Sequence, residues 1–130
     1  MTPDIDTAKK LAEALCAAWT SHSPETVAER YAPTATFSIN RGDAMTSRAD
    51  IAEMAAGFMA DFPDLVLKCG TVLVADRHMV YAWTLEGHHR DTGNFVAVSG
   101  WEEWDMDDDL MVTKSLGWYD AEDYERQVAG

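Results

Sequence analysis

The sequence has little positive charge, few cysteines and no long apolar run. Ten lysines and arginines stand against 23 acidic residues, so the formal net charge of −13 disfavours binding to nucleic-acid phosphates. Cys16 and Cys69 are the two cysteines, and without metal-type spacing they are expected to be reduced, partly buried thiols. No apolar run spans a bilayer, and the N-terminus lacks the basic start and apolar core of a secretory signal. These absences predict a cytoplasmic protein with no nucleic-acid or membrane partner.

The apolar residues that are present suffice for one core. They make up 47% of 130 residues, a fraction typical of a globular chain, and we assign one domain to residues 1–130. Apolar residues at helical spacing, together with capping side chains, predict three helices in the first half. The predicted helices span residues 4–20, 23–31 and 47–62, and a strand over residues 34–40 lies between the second and the third.

The second half of the chain alternates between strand-forming runs and turns. Strands are predicted over residues 65–74, 79–89, 94–106 and 110–119, with a last helix over residues 121–128. Helices first and consecutive antiparallel strands afterwards are typical of an α+β fold, in which the helices pack on one face of the sheet.

Alternation of side chains gives the strand over residues 94–106 an inward and an outward face. A three-residue loop at residues 107–109 makes its apolar face coincide with that of the last strand and sets Glu102 opposite Lys114. We therefore predict a partly buried ion pair between Glu102 and Lys114. The functional alternative is that one of the two orients a carbonyl or hydroxyl group of a ligand. The predicted inward set contains Val96, Val98, Gly100, Glu102, Trp104 and Met106.

The same register places an acid and a histidine at one end of the sheet. It sets Asp120 opposite Val96, while a four-residue loop sets His89 opposite Asn94. One intervening strand then separates His89 from Asp120 by about 10 Å, which suits two groups that flank a ligand. Two alternatives stay open, because Asp120 also stands where a helix cap is expected and His89 can have a purely structural role.

The chain offers no pattern for a metal or another cofactor. His88 and His89 are adjacent, but neighbouring residues in a strand point to opposite faces and cannot easily share an ion. No third ligand has a suitable spacing. We predict that the protein works without a metal or another cofactor.

Large aromatic residues are candidates for the core first and for the walls of a pocket second. Several of them together would suit a flat, hydrophobic ligand. Trp101 instead falls on the outer face beside Phe95 and Tyr119, which predicts a homodimer through that face. The candidate wall residues are Trp19, Tyr31, Phe58, Trp83, Trp104 and Trp118.

Three stretches of the chain resemble a known family. "YAPTATF" at residues 31–37 and "SRADIAEMAAGFMADFPDL" at residues 47–65 look like the first half of a SnoaL-like domain of the nuclear transport factor 2 superfamily. "GHHRDTGNFVAVSGWEEWDMDDDLMVTKSLGWYDAEDYERQ", residues 87–127, is similar to its second half. The resemblance implies a cone, related to the cystatin-like fold, in which a curved, mainly antiparallel sheet surrounds a pocket closed by N-terminal helices.

The resemblance also implies candidate chemistry. In polyketide cyclases of this kind, an aspartate at the end of the last strand acts as acid and base near a histidine, and Asp120 and His89 look like these residues. The positions that resemble those of the steroid isomerases hold Leu15, Ile39 and Glu102, so two of the three functional side chains are missing. No arginine lies in the inward sets, which argues against the epoxide hydrolases of the superfamily.

These observations predict a cofactor-free cyclase or isomerase that acts on a small, hydrophobic carbonyl compound. Asp120 would move a proton next to the carbonyl group, and His89 would hydrogen-bond or relay. Two alternatives stay open: a binding or accessory module with the same cone but no chemistry, and a structural dimer whose cone is filled by its own tryptophans.

Overall fold

The order of helices and strands follows the expectation from the sequence. The computed structural model describes residues 2–130, and within them Tyr31 begins the first strand instead of ending the second helix. No helix among these residues is long and apolar enough to cross a bilayer. The elements are α1 (Ile5–Thr20), α2 (Pro24–Glu29), β1 (Tyr31–Ile39), α3 (Arg48–Asp61), β2 (Val66–Ala75), β3 (His78–His88), β4 (Phe95–Met106), β5 (Val112–Tyr119) and α4 (Ala121–Ala129).

Side-chain caps fix where the helices begin. In each case an aspartate or serine accepts a hydrogen bond from the backbone N–H three residues later, which satisfies one of the free donors of the first turn. Pro24 in the first turn of α2 adds a residue whose fixed φ suits that position. The four capping residues are Asp4, Ser23, Ser47 and Asp120.

The five strands form one curved sheet in the order β1-β5-β4-β3-β2. Strands β2 to β5 form an antiparallel meander, in which each strand pairs with the next one in the chain. Strand β1 precedes this meander in the sequence and pairs in parallel with its last strand, β5. The predicted hairpin register of β3 and β4 is confirmed: Gly87 pairs with Val96, and the His89 N–H donates to the Asn94 carbonyl oxygen at 2.9 Å. The inward set predicted for β4 is confirmed too, with Trp104 fully buried and Glu102 8% exposed.

The predicted register of β4 and β5 is wrong. Glu102 pairs with Gly117, not with Lys114, and Met106 pairs with Val112. The loop is longer than three residues, because Leu110 adopts a left-handed conformation at φ 61° and the Asp107 carboxylate accepts two backbone N–H groups. Thr113 is then an extra residue between the pairs Met106–Val112 and Asp105–Lys114, which is a β-bulge.

The bulge exchanges the two faces of β5. Because side chains alternate, one extra residue sends Ser115 and Gly117 inward and Lys114 and Trp118 outward. Lys114 is exposed opposite Asp105, so the predicted ion pair with Glu102 does not exist. Tyr119, which we expected on the outer face, turns to the inside of the sheet.

Helix α4 lies beside β4 beyond the point where β5 ends. The side-chain amide of Gln127 accepts a hydrogen bond from the Ala97 N–H at 2.7 Å and donates one to the Ala97 carbonyl at 3.1 Å. The Asn94 side chain donates to the Val128 carbonyl oxygen at 2.8 Å. Although α4 buries none of its residues fully, these bonds place Tyr124 over the inner face of the sheet.

Candidate functional site

A narrow apolar cavity lies between the inner face of the sheet and helices α1, α3 and α4. Its volume is about 60 Å³, and its walls are aromatic and aliphatic side chains. Glu102 is the one carboxyl group among the lining residues that the structure describes. Six of the ten residues predicted for the site line this cavity: Trp19, Tyr31, Phe58, Trp83, Glu102 and Trp118.

Glu102 lies at the centre of β4 with its carboxyl group buried in apolar surroundings. The Ser115 hydroxyl donates a hydrogen bond to Glu102 Oε2 at 2.9 Å, and no cation takes the place that we expected for Lys114. Burial raises the pKa of Glu102 to about 8, the Ser115 hydrogen bond opposes the rise, and the charge of Glu103 adds to it. Near neutral pH the carboxyl group therefore exists in both its protonated and its ionised form.

Gly117 makes room for this carboxyl group. A Cβ atom at Gly117 would lie 2.7 Å from Glu102 Oε1 and 3.1 Å from Oε2, closer than side-chain atoms tolerate. Glycine is unusual in the interior of a strand and marks places of close approach. The sequence contains this signal, but the wrong register assigned Gly117 to the outer face.

Two buried tyrosines stand beside Glu102. Tyr31 and Tyr81 are each 1% exposed, and both line the cavity. Burial, followed by the negative charge of Glu102, raises the pKa of each hydroxyl well above its usual range. Both hydroxyl groups therefore stay protonated at physiological pH. Tyr81 and the more peripheral Tyr119 and Tyr124 were not among the predicted site residues.

Asp120 caps α4 and does not line the cavity. Its Oδ1 accepts the Asp123 N–H at 3.0 Å, so the capping alternative for Asp120 is confirmed. Gly100 pairs with Tyr119, which puts Asp120 about five positions along β4 from the His89–Asn94 pair. At the usual rise per residue this is about 17 Å, so the predicted separation of about 10 Å is wrong.

His89 packs outside the cavity walls as well. Its ring makes an edge contact with Phe62, with centroids 5.4 Å apart, and its Nδ1 accepts the Asp91 N–H at 3.2 Å. These contacts hold the ring at the turn between β3 and β4. A catalytic role for Asp120 and His89 stays a prediction, and the cavity brings neither of them together with Glu102.

Trp104 belongs to the core. It is 0% exposed and packs edge-on against Tyr81, with ring centroids 4.9 Å apart, and it is not among the cavity walls. Trp118 touches the cavity, but its indole stacks on Trp101 on the outer face and donates to Glu103 Oε2 at 2.5 Å. The outward turn of Trp118 is another consequence of the bulge in β5.

Neither cysteine is suited to nucleophilic chemistry. Both are free, as expected, with Cys16 buried and Cys69 half-buried. Burial raises the pKa of the Cys16 thiol to about 12, so the reactive thiolate is almost absent at neutral pH. Among the cavity walls that the structure describes, the carboxyl group of Glu102 is the one whose pKa lies near neutral pH.

Comparison with known proteins identifies relatives at the level of family and fold. A model of the SnoaL-like domain family matches residues 12–113. No curated protein matches the sequence. One similar structure is a hypothetical protein with a ketosteroid isomerase-like fold from Catenulispora acidiphila, in complex with trimethylamine. It has a TM-score of 0.85, 20% identity and coverage of 95% of each chain.

Two further structures resemble the chain over nearly its whole length. A candidate SnoaL-like polyketide cyclase from Jannaschia sp. CCS1 has a TM-score of 0.81 and 13% identity, with 100% of this chain and 99% of that chain covered. SalBIII, an epoxide hydrolase/cyclase-like enzyme of pyran ring formation in salinomycin, has a TM-score of 0.80 and 11% identity, with 92% and 95% covered. At these identities the similarity shows the fold.

Proposed function

Because this chain belongs to the SnoaL-like domain family, we propose that it is a cofactor-free enzyme of the cyclase or isomerase type. Its substrate is a small, apolar carbonyl compound, and Glu102 moves the proton. The observation that carries the proposal is a single buried carboxyl group on the wall of an apolar cavity, with a pKa raised to about 8. Acid–base catalysis works best when the pKa of the catalytic group lies near the working pH.

The chemistry needs one proton and one group that carries it. Ionised Glu102 removes a proton from the carbon next to the carbonyl group, which leaves an enolate and a protonated carboxyl group. In an isomerisation, Glu102 returns the proton to another carbon of the same molecule. In a cyclisation, the enolate carbon attacks a second carbonyl group, and Glu102 gives its proton to the alkoxide that forms.

The cavity sets the size and polarity of the substrate. Aromatic walls exclude water, which protects an enolate from premature protonation. A cavity of about 150 Å³ takes up benzene, so a cavity of about 60 Å³ accepts a smaller group or one end of a larger molecule. The reacting carbonyl therefore belongs to a slender part of the substrate.

The proposal predicts a specific pH–rate profile for proton exchange. Hydrogen at the carbon next to the carbonyl of acetone or 2-butanone is expected to exchange faster in D₂O with the protein than with buffer alone. Because the ionised carboxylate is the base, the rate should rise with pH and level off above a midpoint near 8. Proton NMR of the ketone measures the rate at each pH.

Three outcomes of the exchange assay test the enzyme proposal and the assignment of Glu102 as the base. Exchange no faster than in buffer contradicts the enzyme proposal and favours the binding module. A midpoint near 4 contradicts the assignment to Glu102. The variants Asp120→Asn and His89→Ala serve as controls, and both should keep the wild-type rate. A large loss in either variant would instead support the assignment made from the sequence.

We also propose that the protein forms a homodimer through the outer face of the sheet. Phe95 and Trp101 on that face are 54% and 45% exposed. Trp101 stacks on Trp118, with ring centroids 6.1 Å apart and an angle of 23° between the rings. An exposed apolar patch on a sheet face is typical of an interface, and a two-fold dimer is the commonest closed assembly.

Replacing Trp101 by lysine is expected to shift the protein from dimer to monomer. A central tryptophan in an interface typically contributes at least about 2 kcal/mol, so the dissociation constant should rise at least about thirtyfold. Analytical ultracentrifugation over a range of concentrations measures this change. The control is Ile5→Lys, which replaces a similarly exposed side chain, at 41%, away from the sheet. A wild type that stays monomeric at every concentration would rule out the proposed dimer.

A further inference from the structure

Trp83 carries a buried polar group that the fold leaves unpaired. It faces inward on β3, between Tyr81 and Leu85, and its ring lines the cavity. Among the residues that the structure describes, no acceptor pairs with its indole Nε1–H. Buried donors are nearly always satisfied, and an unpaired one calls for an explanation such as a functional role.

Gly100 makes room for the Trp83 ring as Gly117 does for Glu102. A Cβ atom at Gly100 would lie 2.6 Å from Cζ2 and 2.9 Å from Cη2 of Trp83. Trp83 pairs with Gly100 and Glu102 pairs with Gly117, so each functional side chain lies across a glycine of the next strand. Trp83 and Glu102 therefore line the same cavity from diagonal positions on adjacent strands.

The spacing of Trp83 and Glu102 suits a carbonyl compound. The two residues are diagonal neighbours on adjacent strands, and such positions are about 7–8 Å apart. A reacting carbon sits about 3–3.5 Å from its base. A carbonyl oxygen sits about 2.9 Å from an N–H donor. Since that carbon and that oxygen are only two bonds apart, one carbonyl group bridges a gap of this size.

We propose that Trp83 is a catalytic hydrogen-bond donor, whose indole N–H binds the carbonyl oxygen while Glu102 takes the proton from the adjacent carbon. This rests on the function proposed above. The carbon–hydrogen bond breaks, its electron pair becomes the enolate, and the proton moves to Glu102. The negative charge that develops on the oxygen is held by the N–H of Trp83, which needs no reorientation because the fold has already fixed it.

This placement fixes the orientation and the charge of the substrate. The carbonyl oxygen lies on the side of Gly100 on β4, and the reacting carbon lies on the side of Gly117 on β5. No lysine or arginine is among the cavity walls that the structure describes, so a neutral ketone suits the cavity and a carboxylate does not. The substrate class is therefore an uncharged ketone with hydrogen on the carbon next to its carbonyl group.

Trp104 provides a control. Its Nε1–H is also buried, but it lies beside the Tyr31 hydroxyl and its ring is not among the cavity walls. If the Trp83 N–H does not reach a ligand, neither indole should respond to a ketone. If Trp83 binds substrate, only its N–H should respond to a ketone.

Two measurements test this proposal with acetone and 2-butanone as probes. In ¹H–¹⁵N spectra, the indole N–H resonance of Trp83, assigned by its loss in Trp83→Phe, should move downfield with ketone while that of Trp104 stays. In the exchange assay, Trp83→Phe should lower kcat about a hundredfold and leave the pH midpoint unchanged, since one lost oxyanion donor has an effect of this order. Trp104→Phe should keep the rate of the wild type per folded molecule.

The results separate the two proposals. A Trp83 resonance that does not move at saturating ketone overturns the role of Trp83, whatever the exchange rates are. Wild-type kcat in Trp83→Phe overturns it as well, and leaves Glu102 as the catalytic group. Absence of exchange in the wild type overturns the enzyme proposal, and the shift of the Trp83 resonance then decides alone whether this N–H binds the carbonyl.

Discussion

Replacing Glu102 by glutamine is expected to lower the rate of ketone proton exchange by about two to four orders of magnitude, the usual contribution of one general acid–base group. Glutamine has nearly the same shape, and its amide oxygen can accept the hydrogen bond that Ser115 donates to Glu102 at 2.9 Å. It cannot accept or release the reacting proton at neutral pH. The variant should therefore fold and bind ketones while losing the chemistry.

The neighbouring carboxyl group supplies the control for this prediction. Glu103 points to the outer face, where its Oε2 accepts hydrogen bonds from the indoles of Trp118 and Trp101. Glu103→Gln removes a negative charge next to Glu102 without touching the cavity, and it should keep most of the exchange rate. Equal losses in the two variants would mean that the carboxyl group of Glu102 is not the proton carrier.

The stability of the wild type is expected to fall as the pH rises from about 4.5 to about 8. The pKa of Glu102 is about 8 in the folded protein and 4.5 in an ordinary exposed glutamate. Between these values the folded state holds a proton that the unfolded state has lost, so each increase in pH favours unfolding. Protonated Glu102 thus contributes on the order of 3 to 5 kcal/mol to the free energy of unfolding. This contribution is complete below pH 4.5, and it is lost as the pH rises from 4.5 to 8.

Urea unfolding of the wild type and of Glu102→Gln at a series of pH values measures this effect. The variant has no titrating group at this position, so the difference between the two curves isolates Glu102 from the other 22 acidic residues. The difference should change steadily between pH 4.5 and 8 and be constant outside that interval. A constant difference over the whole range would mean that the carboxyl group has an ordinary pKa and is not buried.

The sequence predicted most of the fold because its signals are local. The Asp4, Ser23 and Ser47 caps start helices where the pattern placed them. The turn after His89 fixed the register of β3 and β4, since its four-residue loop has Gly93 at φ 73°, a conformation that glycine adopts readily. Local chemistry of this kind is visible in the sequence without knowledge of the rest of the chain.

The turn before β5 gives no such signal. Leu110 takes a left-handed conformation that leucine rarely adopts, and Asp107 supplies the hydrogen bonds that hold the loop in shape. The extra residue, Thr113, looks like any strand residue. Alternation of apolar residues therefore favoured a shorter loop and an unbroken strand, and the missed bulge at Thr113 inverted every side chain of β5 beyond Val112.

That single error changed the candidate site. The sequence correctly placed Glu102 on the inner face. The predicted register, however, wrongly paired Glu102 with Lys114. A lysine partner would have stabilised the ionised form, whereas burial with only the hydroxyl of Ser115 raises the pKa to about 8. The acid of the proposed mechanism could thus be located from the sequence, but its protonation state could not, because that depends on the partner across the strand.

Helix α4 has a further consequence for how the protein behaves among other chains. A strand whose backbone is unpaired is a template for aggregation, and β4 would present one where β5 stops. Gln127 fills that gap, because its amide offers Ala97 the same donor and acceptor that a neighbouring strand would offer. A short, half-buried helix thereby covers an open edge of the sheet. Loss of the helix would expose the unpaired backbone of β4 and remove Tyr124 from the wall of the cavity.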